Sequence, residues 1–337
     1  MTLKVLILGA NGFIGHTLVR AILEHTDWEI FGLDLSSHQL ADYLNHPRLH
    51  FMEGDMTIQK EWIAYHIEKC QVVLPLVAIA TPATYVKDPL KIFELDFEAN
   101  LEIIRQCLKY NARVIFPSTS EVYGMCQDAE FHEAHSNFVV GPIHKERWIY
   151  STSKQLLDRV IYAYGKHQGL AFTLFRPFNW IGPGQDNIFI PHAGSSRVVT
   201  QFLSNIVHGQ NIQLVDGGKQ QRSFTYIDDG IDCLLKIIAN QNDCATGEIF
   251  NIGNPSNNVS IRELAELMLS LAQEYPFFAK SAANIEIVSV PGETYYGAGY
   301  QDVSARVPSI ANADKRLGWK PTTDLETAIR KTLASYT

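Results

Sequence analysis

Cationic patches are missing from this sequence. Its 28 Lys and Arg are outnumbered by 36 Asp and Glu, a net charge of −8, so the electrostatic footprint of a nucleic-acid binder is absent and no nucleic-acid partner is expected. A cysteine framework is missing too. The five cysteines (Cys70, Cys107, Cys126, Cys233, Cys244) are scattered, odd in number and form no Cys-x-x-Cys pair. They read as reduced thiols of a cytoplasmic protein and exclude a disulfide scaffold or thiolate zinc site. The histidines share no ligand spacing, so no metal is expected. No apolar run approaches the ~20 residues of a membrane span, so no membrane partner is expected. The short run Val5 to Leu8 ends in glycines without a cleavage region, and reads as a strand instead of a signal sequence. There is no internal repeat and no low-complexity segment.

What is present begins with alternation. With 337 residues, 46% of them apolar, the chain can form one large domain or two ordinary ones. Leu3 to Leu8 reads as a buried strand, followed by Gly9-Ala10-Asn11-Gly12-Phe13-Ile14-Gly15 and an amphipathic helix from Thr17 to His25. Glycines at the first, fourth and seventh positions allow a tight turn and close backbone approach, and the following helix N-terminus suits a pyrophosphate. Glycine spacing alone is a weak signal. It gains strength from Asp34, which ends the second strand (29–33) roughly 20 residues on, where a carboxylate takes the ribose hydroxyls of a dinucleotide. A carboxylate there repels a 2′-phosphate, which favours NAD over NADP. Otherwise Asp34 would be a helix N-cap. Asp55, after the third strand (50–54), either meets the adenine or closes a turn. Val72 to Ala78 is a fourth strand, whose end, Ala78 onwards, passes the nicotinamide half. Pro89 to Tyr110 reads as one long helix with an apolar stripe of Leu90, Phe93, Phe97, Leu101, Ile104 and Leu108. Arg113 to Pro117 is a fifth strand. Strands alternating with helices predict an α/β fold with a doubly wound parallel sheet, and ligand binding at the C-terminal strand ends.

One such end carries Ser118-Thr119-Ser120-Glu121-Val122-Tyr123-Gly124, and a helix further on opens with Tyr150-Ser151-Thr152-Ser153-Lys154. Tyr150 and Lys154 lie four apart, on one helix face, about 6 Å along the axis. An ammonium there would pull the tyrosine pKa from about 10 towards neutrality, and such a tyrosine takes a proton from an alcohol as hydride leaves the same carbon. The plain alternative is a core tyrosine beside a surface lysine; the glycine turn argues against it. Glu121 is either a functional carboxylate or a helix N-terminal charge. Leu170 to Arg176 is a sixth strand. Beyond it a Pro/Gly-rich loop (177–184) opens a second part, with short strands at 212–215, 249–252 and 285–288 and helices at 196–207, 227–239 and 261–273. The expected division is a cofactor domain, 1–177, and a smaller substrate-binding lobe, 178–337.

These residues together resemble the extended short-chain dehydrogenases, the nucleotide-sugar epimerases, dehydratases and decarboxylases with a Rossmann fold. The resemblance spans essentially the whole chain. Within that group, residues 73–82, 116–125, 147–150, 214–219 and 295–303 look most like the UDP-glucuronic acid decarboxylase domains of bifunctional polymyxin-resistance proteins. The resemblance implies NAD as cofactor, held by Gly9, Asn11, Gly12, Phe13, Ile14, Gly15, Asp34, Asp55, Ala78, Tyr150 and Lys154. It implies a UDP-sugar as substrate, with Thr119 or Ser120 on the sugar O4 beside Tyr150, and Glu121 and Arg306 as the decarboxylation pair. Asn179, Arg197, Arg222 and Tyr300 match positions that hold the UDP and sugar. It also implies a homodimer, through the helices at 89–110 and 148–164; the plain alternative is that their apolar stripes only cover the sheet. Without the resemblance, Arg306 reads as a solvated loop arginine and Arg222 as a partner for Asp228 or Asp229. Gln213 departs from the pattern, which has a basic residue there. Rival readings are a 4-epimerase, a UDP-apiose/xylose synthase and a non-enzymatic dinucleotide sensor.

Overall fold

The computed structural model describes residues 2–190, 197–296, 301 and 303–337. Its centre is a seven-stranded sheet: β1 (Lys4–Leu8), β2 (Glu29–Asp34), β3 (Leu49–Glu53), β4 (Val72–Pro75), β5 (Arg113–Pro117), β6 (Phe172–Pro177) and β7 (Ile249–Ile252). The spatial order is β7-β6-β5-β4-β1-β2-β3, with every pairing parallel. Winding reverses between β1 and β4, which opens a crevice at their C-terminal ends.

The near-continuous apolar strands follow from burial on both faces. In β1, Val5 and Ile7 join one buried cluster while Leu6 and Leu8 join the other. The first cluster takes in the Phe13–His25 and Ile227–Ala239 helices; the second takes in Lys60–Lys69, Asn100–Tyr110 and Trp148–Gln168. The sheet is thus covered by helices on both sides, the doubly wound Rossmann arrangement expected from the alternation of elements.

Two expectations are corrected. The strand at 249–252, assigned to a separate lobe, pairs with β6 and completes the central sheet. A strand's neighbour is set by tertiary packing, which spacing along the chain does not encode. The helix from Pro89 to Tyr110 is not uniform: α-turns at Pro89–Ile92 and Asn100–Tyr110 flank a π-helical turn over Phe93–Ala99. Of its expected apolar stripe only Ile104 is fully buried. Leu90 is exposed and Phe93, Phe97, Leu101 and Leu108 are only half-buried, whereas Ile92, Asp96, Asn100, Ile103, Ile104 and Cys107 face the interior.

The rest of the C-terminal part forms small two-stranded sheets, including Ile212–Val215 with Ile287–Val290 and Gln221–Ser223 with Asn258–Ser260. Among the described residues no helix is long and apolar enough to cross a membrane, and no group of His, Cys, Asp or Glu is disposed to hold a metal ion.

Candidate active site

The strand ends and the C-terminal part enclose a cleft of about 330 Å³, lined at one end by Phe13 and Ile14 and at the other by Gln213 and Arg222. The glycine turn forms its first wall. Gly9 has φ +88°, a backbone state open chiefly to glycine. A Cβ on Gly15 would lie 2.1 Å from the Gly9 carbonyl oxygen, so only glycine lets the helix start this close to β1. The helix begins at Phe13 with Gly12 as a cap that offers no side-chain acceptor. Its first-turn N–H groups therefore face the cleft unfilled by the protein, as a pyrophosphate needs. Asp34 accepts the Asn11 N–H at 2.8 Å and its own neighbour Leu35 N–H at 2.7 Å, and keeps further lone pairs for a ribose. The turn and its acid fit a dinucleotide.

Three residues expected at the cofactor are placed as follows. The Asn11 side chain is spent on Ser36, at 2.9 Å, and on the Gln39 N–H, at 2.8 Å, so it ties the turn to the chain after β2. Ala78 is not on the cleft wall; Ala80, two residues on, is. Asp55 accepts the N–H and hydroxyl of Thr57, at 2.8 and 2.7 Å, which is the turn-closing geometry.

Tyr150 lines the cleft, and Lys154 is buried beside it on the same face of the Trp148–Gln168 helix. The Lys154 ammonium donates to the Pro117 carbonyl at 3.1 Å and lies 3.6 Å from the Asp96 carboxylate. It is 6.0 Å from the centre of the Tyr150 ring. The expected lowering of the tyrosine pKa is not realised. Burial pushes the Tyr150 phenol up, and the Asp96 and Glu121 carboxylates push the same way, while the Thr119 hydroxyl and Arg197 oppose them. The lysine spends its charge on Asp96, a residue that spacing alone did not bring into the site. Tyr85, also unanticipated, stacks on Tyr150 with ring centres 4.6 Å apart.

Thr119 caps the short 3-10 turn Ser120–Tyr123, and it lines the cleft with Ser120 and Glu121. Glu121 is clamped between two guanidiniums: Arg147 at 2.7 Å and Arg306 at 3.3 Å. Burial works against its charge, but Arg147 and then Arg306 outweigh that and push its carboxyl down to about 2. Arg306 is only 5% exposed, contrary to a solvated loop arginine. Its segment is stitched in on both sides. Gln221 N–H donates to Ser304 O at 2.8 Å, and Phe131 N–H to Val307 O at 2.8 Å. Beneath lies a buried chain of hydrogen bonds, Ser118 to Asp158, Arg176 to Asp158 and Tyr123, and Tyr123 to Asn251 on β7, each at 2.8–3.0 Å. Asn251 in turn donates to Phe131 O at 2.7 Å, so the loop with Glu121 and the segment with Arg306 share one foundation.

Of the expected substrate contacts, Asn179 donates to Ser223 O at 3.0 Å from a left-handed φ of +40°. Arg197 caps the Val198–Val207 helix, held by Asp186 at 2.6 Å. Arg222 donates to Val303 O at 2.8 Å; it does not meet Asp228, which pairs with Arg20, or Asp229, which caps Thr322 and Thr323. All three line the cleft. Tyr300 lies outside the described residues.

A cleft with a pyrophosphate cradle at one end and a tyrosine–lysine pair handles a dinucleotide and an alcohol together, as in the short-chain dehydrogenases. Within that class the chain belongs to the NAD dependent epimerase/dehydratase family, whose sequence profile matches residues 5–253, and NAD is its cofactor. The PbgP3 protein from Burkholderia pseudomallei is similar over 100% of this chain and 96% of its own, at 58% identity and a TM-score of 0.91. UDP-glucose 4-epimerase from Thermotoga maritima, solved with UDP-glucose, shares the fold at 22% identity, TM-score 0.80, covering 99% of this chain and 98% of its own. So does dTDP-glucose 4,6-dehydratase from Bacillus anthracis in complex with NAD, at 19% identity, TM-score 0.79, covering 99% and 96%.

Proposed function

We propose that the protein is an NAD-dependent UDP-glucuronic acid decarboxylase, forming a UDP-4-keto-pentose or, with return of the hydride, UDP-xylose. The observation that carries this reading is the pair of arginines around one glutamate. Arg147 and Arg306 both reach Glu121, and all three line the cleft. Guanidiniums at a cleft wall match the geometry of a sugar carboxylate. A neutral hexose offers no such group.

NAD, which the glycine turn and Asp34 would hold, would supply the hydride acceptor for the sugar C4. Tyr150 takes the O4 proton, with the Thr119 or Ser120 hydroxyl holding that oxygen. The C4 ketone is then β to the C6 carboxylate. The C5–C6 bond breaks, CO₂ leaves, and its bonding electrons pass into an enolate whose oxygen Tyr150 and Thr119 steady. A proton returned to C5 completes the keto-pentose. Arg306 and Arg147 orient the carboxylate, and Glu121 keeps both arginines in place. Asn179, Arg197, Arg222 and Tyr300 are the proposed UDP and sugar contacts, and Asp55 a proposed adenine contact. The half-exposed stripe at 89–110 and the exposed Leu156 and Tyr162 on the neighbouring helix support a homodimer through these two helices.

Incubation with UDP-glucuronic acid and NAD should release CO₂. Stoichiometric NADH identifies the keto-pentose as product; CO₂ without it identifies the xylose. Absence of CO₂, with interconversion of UDP-glucose and UDP-galactose instead, makes the protein a 4-epimerase. Arg306→Ala should lower decarboxylation by roughly a thousandfold; unchanged turnover would remove Arg306 from the mechanism.

A further inference from the structure

The proposed reaction branches after CO₂ has left. The C4 ketone either departs as it is, with NADH departing too, or takes the hydride back at C4 and a proton on its oxygen, giving UDP-xylose and NAD. The second route needs no outside reductant, because the hydride that left the sugar returns to it. The same proton-moving groups serve both routes, so the branch turns on how long NADH stays bound. The segment 182–188 bears on that time. On one side it is fixed to the C-terminal part. Arg197 donates to Gln185 O at 2.7 Å and pairs with the Asp186 carboxylate at 2.6 Å, and the Tyr336 hydroxyl donates to Asp186 O at 3.1 Å. On the other side Gly184, at φ +75°, rests on two side chains next to the glycine turn. A Cβ at Gly184 would lie 2.4 Å from Gln39 Oε1 and 3.0 Å from His16 Nε2. Gln39 is bound to Asn11 twice, its N–H donating to Asn11 Oδ1 at 2.8 Å and its amide to Asn11 O at 2.9 Å. His16 Nδ1 lies 2.9 Å from Gly12 O.

We propose that residues 184–186 are a strap across the bound dinucleotide, kept shut by the seat of Gly184 on Gln39 and His16, and that the strap holds NADH through hydride return, so that UDP-xylose is the main product. The inference rests on the decarboxylase reading and chooses between its two products. The seat flanks Asn11 and Gly12, where the pyrophosphate is received, so a strap that reaches it passes over that group. The next residue turns inwards. Gln185 is buried and lines the cleft, and its amide donates to Trp180 O at 2.6 Å. That bond fixes which way the amide points and leaves Oε1 buried without a hydrogen bond. An orphaned buried acceptor calls for a donor, and a ribose hydroxyl or the carboxamide of the dinucleotide is one. Arg197 reaches the same place, its guanidinium 5.9 Å from the centre of the Phe13 ring. Ligand therefore leaves this end of the cleft only after the strap lifts, and lifting sets the rate of release. Gly184, Gln39 and His16 are not among the residues that line the cleft. A change at the seat thus acts on the strap and not on the sugar or on Tyr150.

Gln39→Ala takes the seat away. Gly184→Val keeps Gln39 and pushes the strap off it, through the Cβ clash and a φ that valine does not adopt. Stopped-flow fluorescence of NADH mixed with the protein gives the entry rate, and a chase of bound NADH with excess NAD gives the exit rate. A gate slows entry and exit alike. Both rate constants should rise about tenfold in each variant, with Kd changing by less than about threefold. A residue that merely touched or shaped the dinucleotide site would raise the exit rate and Kd together and leave entry alone. That result overturns the proposal, as do unchanged rates.

The products give the second readout. With UDP-glucuronic acid and NAD, the unaltered enzyme should accumulate NADH to no more than roughly a tenth of the CO₂ released. A tenfold faster exit then competes evenly with hydride return, so the ratio of NADH to CO₂ should rise about fivefold in Gln39→Ala, while the rate of CO₂ release stays within about twofold. Stoichiometric NADH from the unaltered enzyme, or the same ratio in both proteins, overturns the proposal. If the unaltered enzyme releases no CO₂, the decarboxylase reading fails by itself; the NADH rates need no sugar and still decide whether the strap gates the cofactor. If one variant is insoluble, the other serves for both measurements; insolubility of both makes the seat a folding contact and equally overturns the proposal.

Discussion

The two ends of the cleft are built on opposite plans. The cofactor end is local. Gly9 to Gly15 and Asp34 belong to one strand–turn–helix–strand unit, and its backbone contacts close on themselves. The sugar end is assembled from distant pieces: Glu121 after β5, Arg147 at a helix start, and Arg306 from a segment held between Phe131 and Gln221. A local site depends on what its backbone permits, and a composite site on charge balance. The first should fail through shape and the second through electrostatics.

The largest effect expected is at the local end. Gly15→Ala places a Cβ 2.1 Å from the Gly9 carbonyl oxygen and 2.9 Å from the Ala10 backbone, and neither can move without opening the turn. NAD affinity should fall by at least roughly a hundredfold. A fluorescence titration with NADH measures it. Arg306→Ala, at the sugar end, should leave that affinity within about twofold. If the two variants lose NAD equally, the ends of the cleft are one cooperative unit and the contrast drawn here is wrong.

The next effect sharpens the composite end. Arg147→Met keeps the length of the side chain but takes one guanidinium from Glu121. Because Arg306 remains, the stability cost should be roughly 3 kcal/mol, the low side for breaking a buried pair. It should also depend on pH. Glu121 titrates at about 2 in the folded protein against an ordinary 4.5. A depressed carboxyl stabilises the fold above its unfolded pKa, and that contribution is lost as pH falls through the folded value. The gap in Tm between the two proteins should therefore be widest near neutrality and shrink as pH drops from 4.5 towards 2. A gap independent of pH would mean that Arg147 acts through its packing on Trp148, 4.6 Å from its guanidinium.

The same contrast explains what the sequence made legible. Glycine spacing, an acid at a strand end and a Tyr-x-x-x-Lys pair are short-range patterns, and they led to the fold and to the pairing of Tyr150 and Lys154 on one helix. Arg306 entered only through resemblance, because nothing near it hints that its loop folds back onto Glu121. Three other residues do leave a trace in the sequence. Arg147 places a cation at a helix N-terminus, where the helix dipole disfavours it, so another partner should have been sought. Asp96 and Asn100 share the register of Ile92, Ile103 and Cys107, so two polar groups sit on a face otherwise apolar. A stripe drawn for a straight helix misses them because the π turn shifts the register, leaving Leu90 exposed and Phe93 half-buried. The place of Ile249–Ile252 in the central sheet left no such trace, since strand order is decided by packing.

Asp55 carries the smallest expected effect and lies between the two plans. Its carboxylate closes a local turn on Thr57, yet it ends β3 beside Gly54, whose N–H donates to Asp34 O at 2.8 Å. That puts it next to the strand end that carries Asp34. The Thr57 hydroxyl and N–H hold its pKa low, so it is an anion under all ordinary conditions and a fit acceptor for an amine such as that of adenine. One exposed hydrogen bond of this kind is worth about 0.5–1.5 kcal/mol, or roughly threefold to tenfold in affinity. Asp55→Ala should weaken NAD by that factor. Thr57→Val removes the hydroxyl from the turn but leaves the carboxylate, and should change NAD affinity by less than about twofold. Equal losses in the two variants would make the turn the whole role of Asp55; a loss confined to Asp55→Ala extends the local plan one strand further than the glycine turn and Asp34.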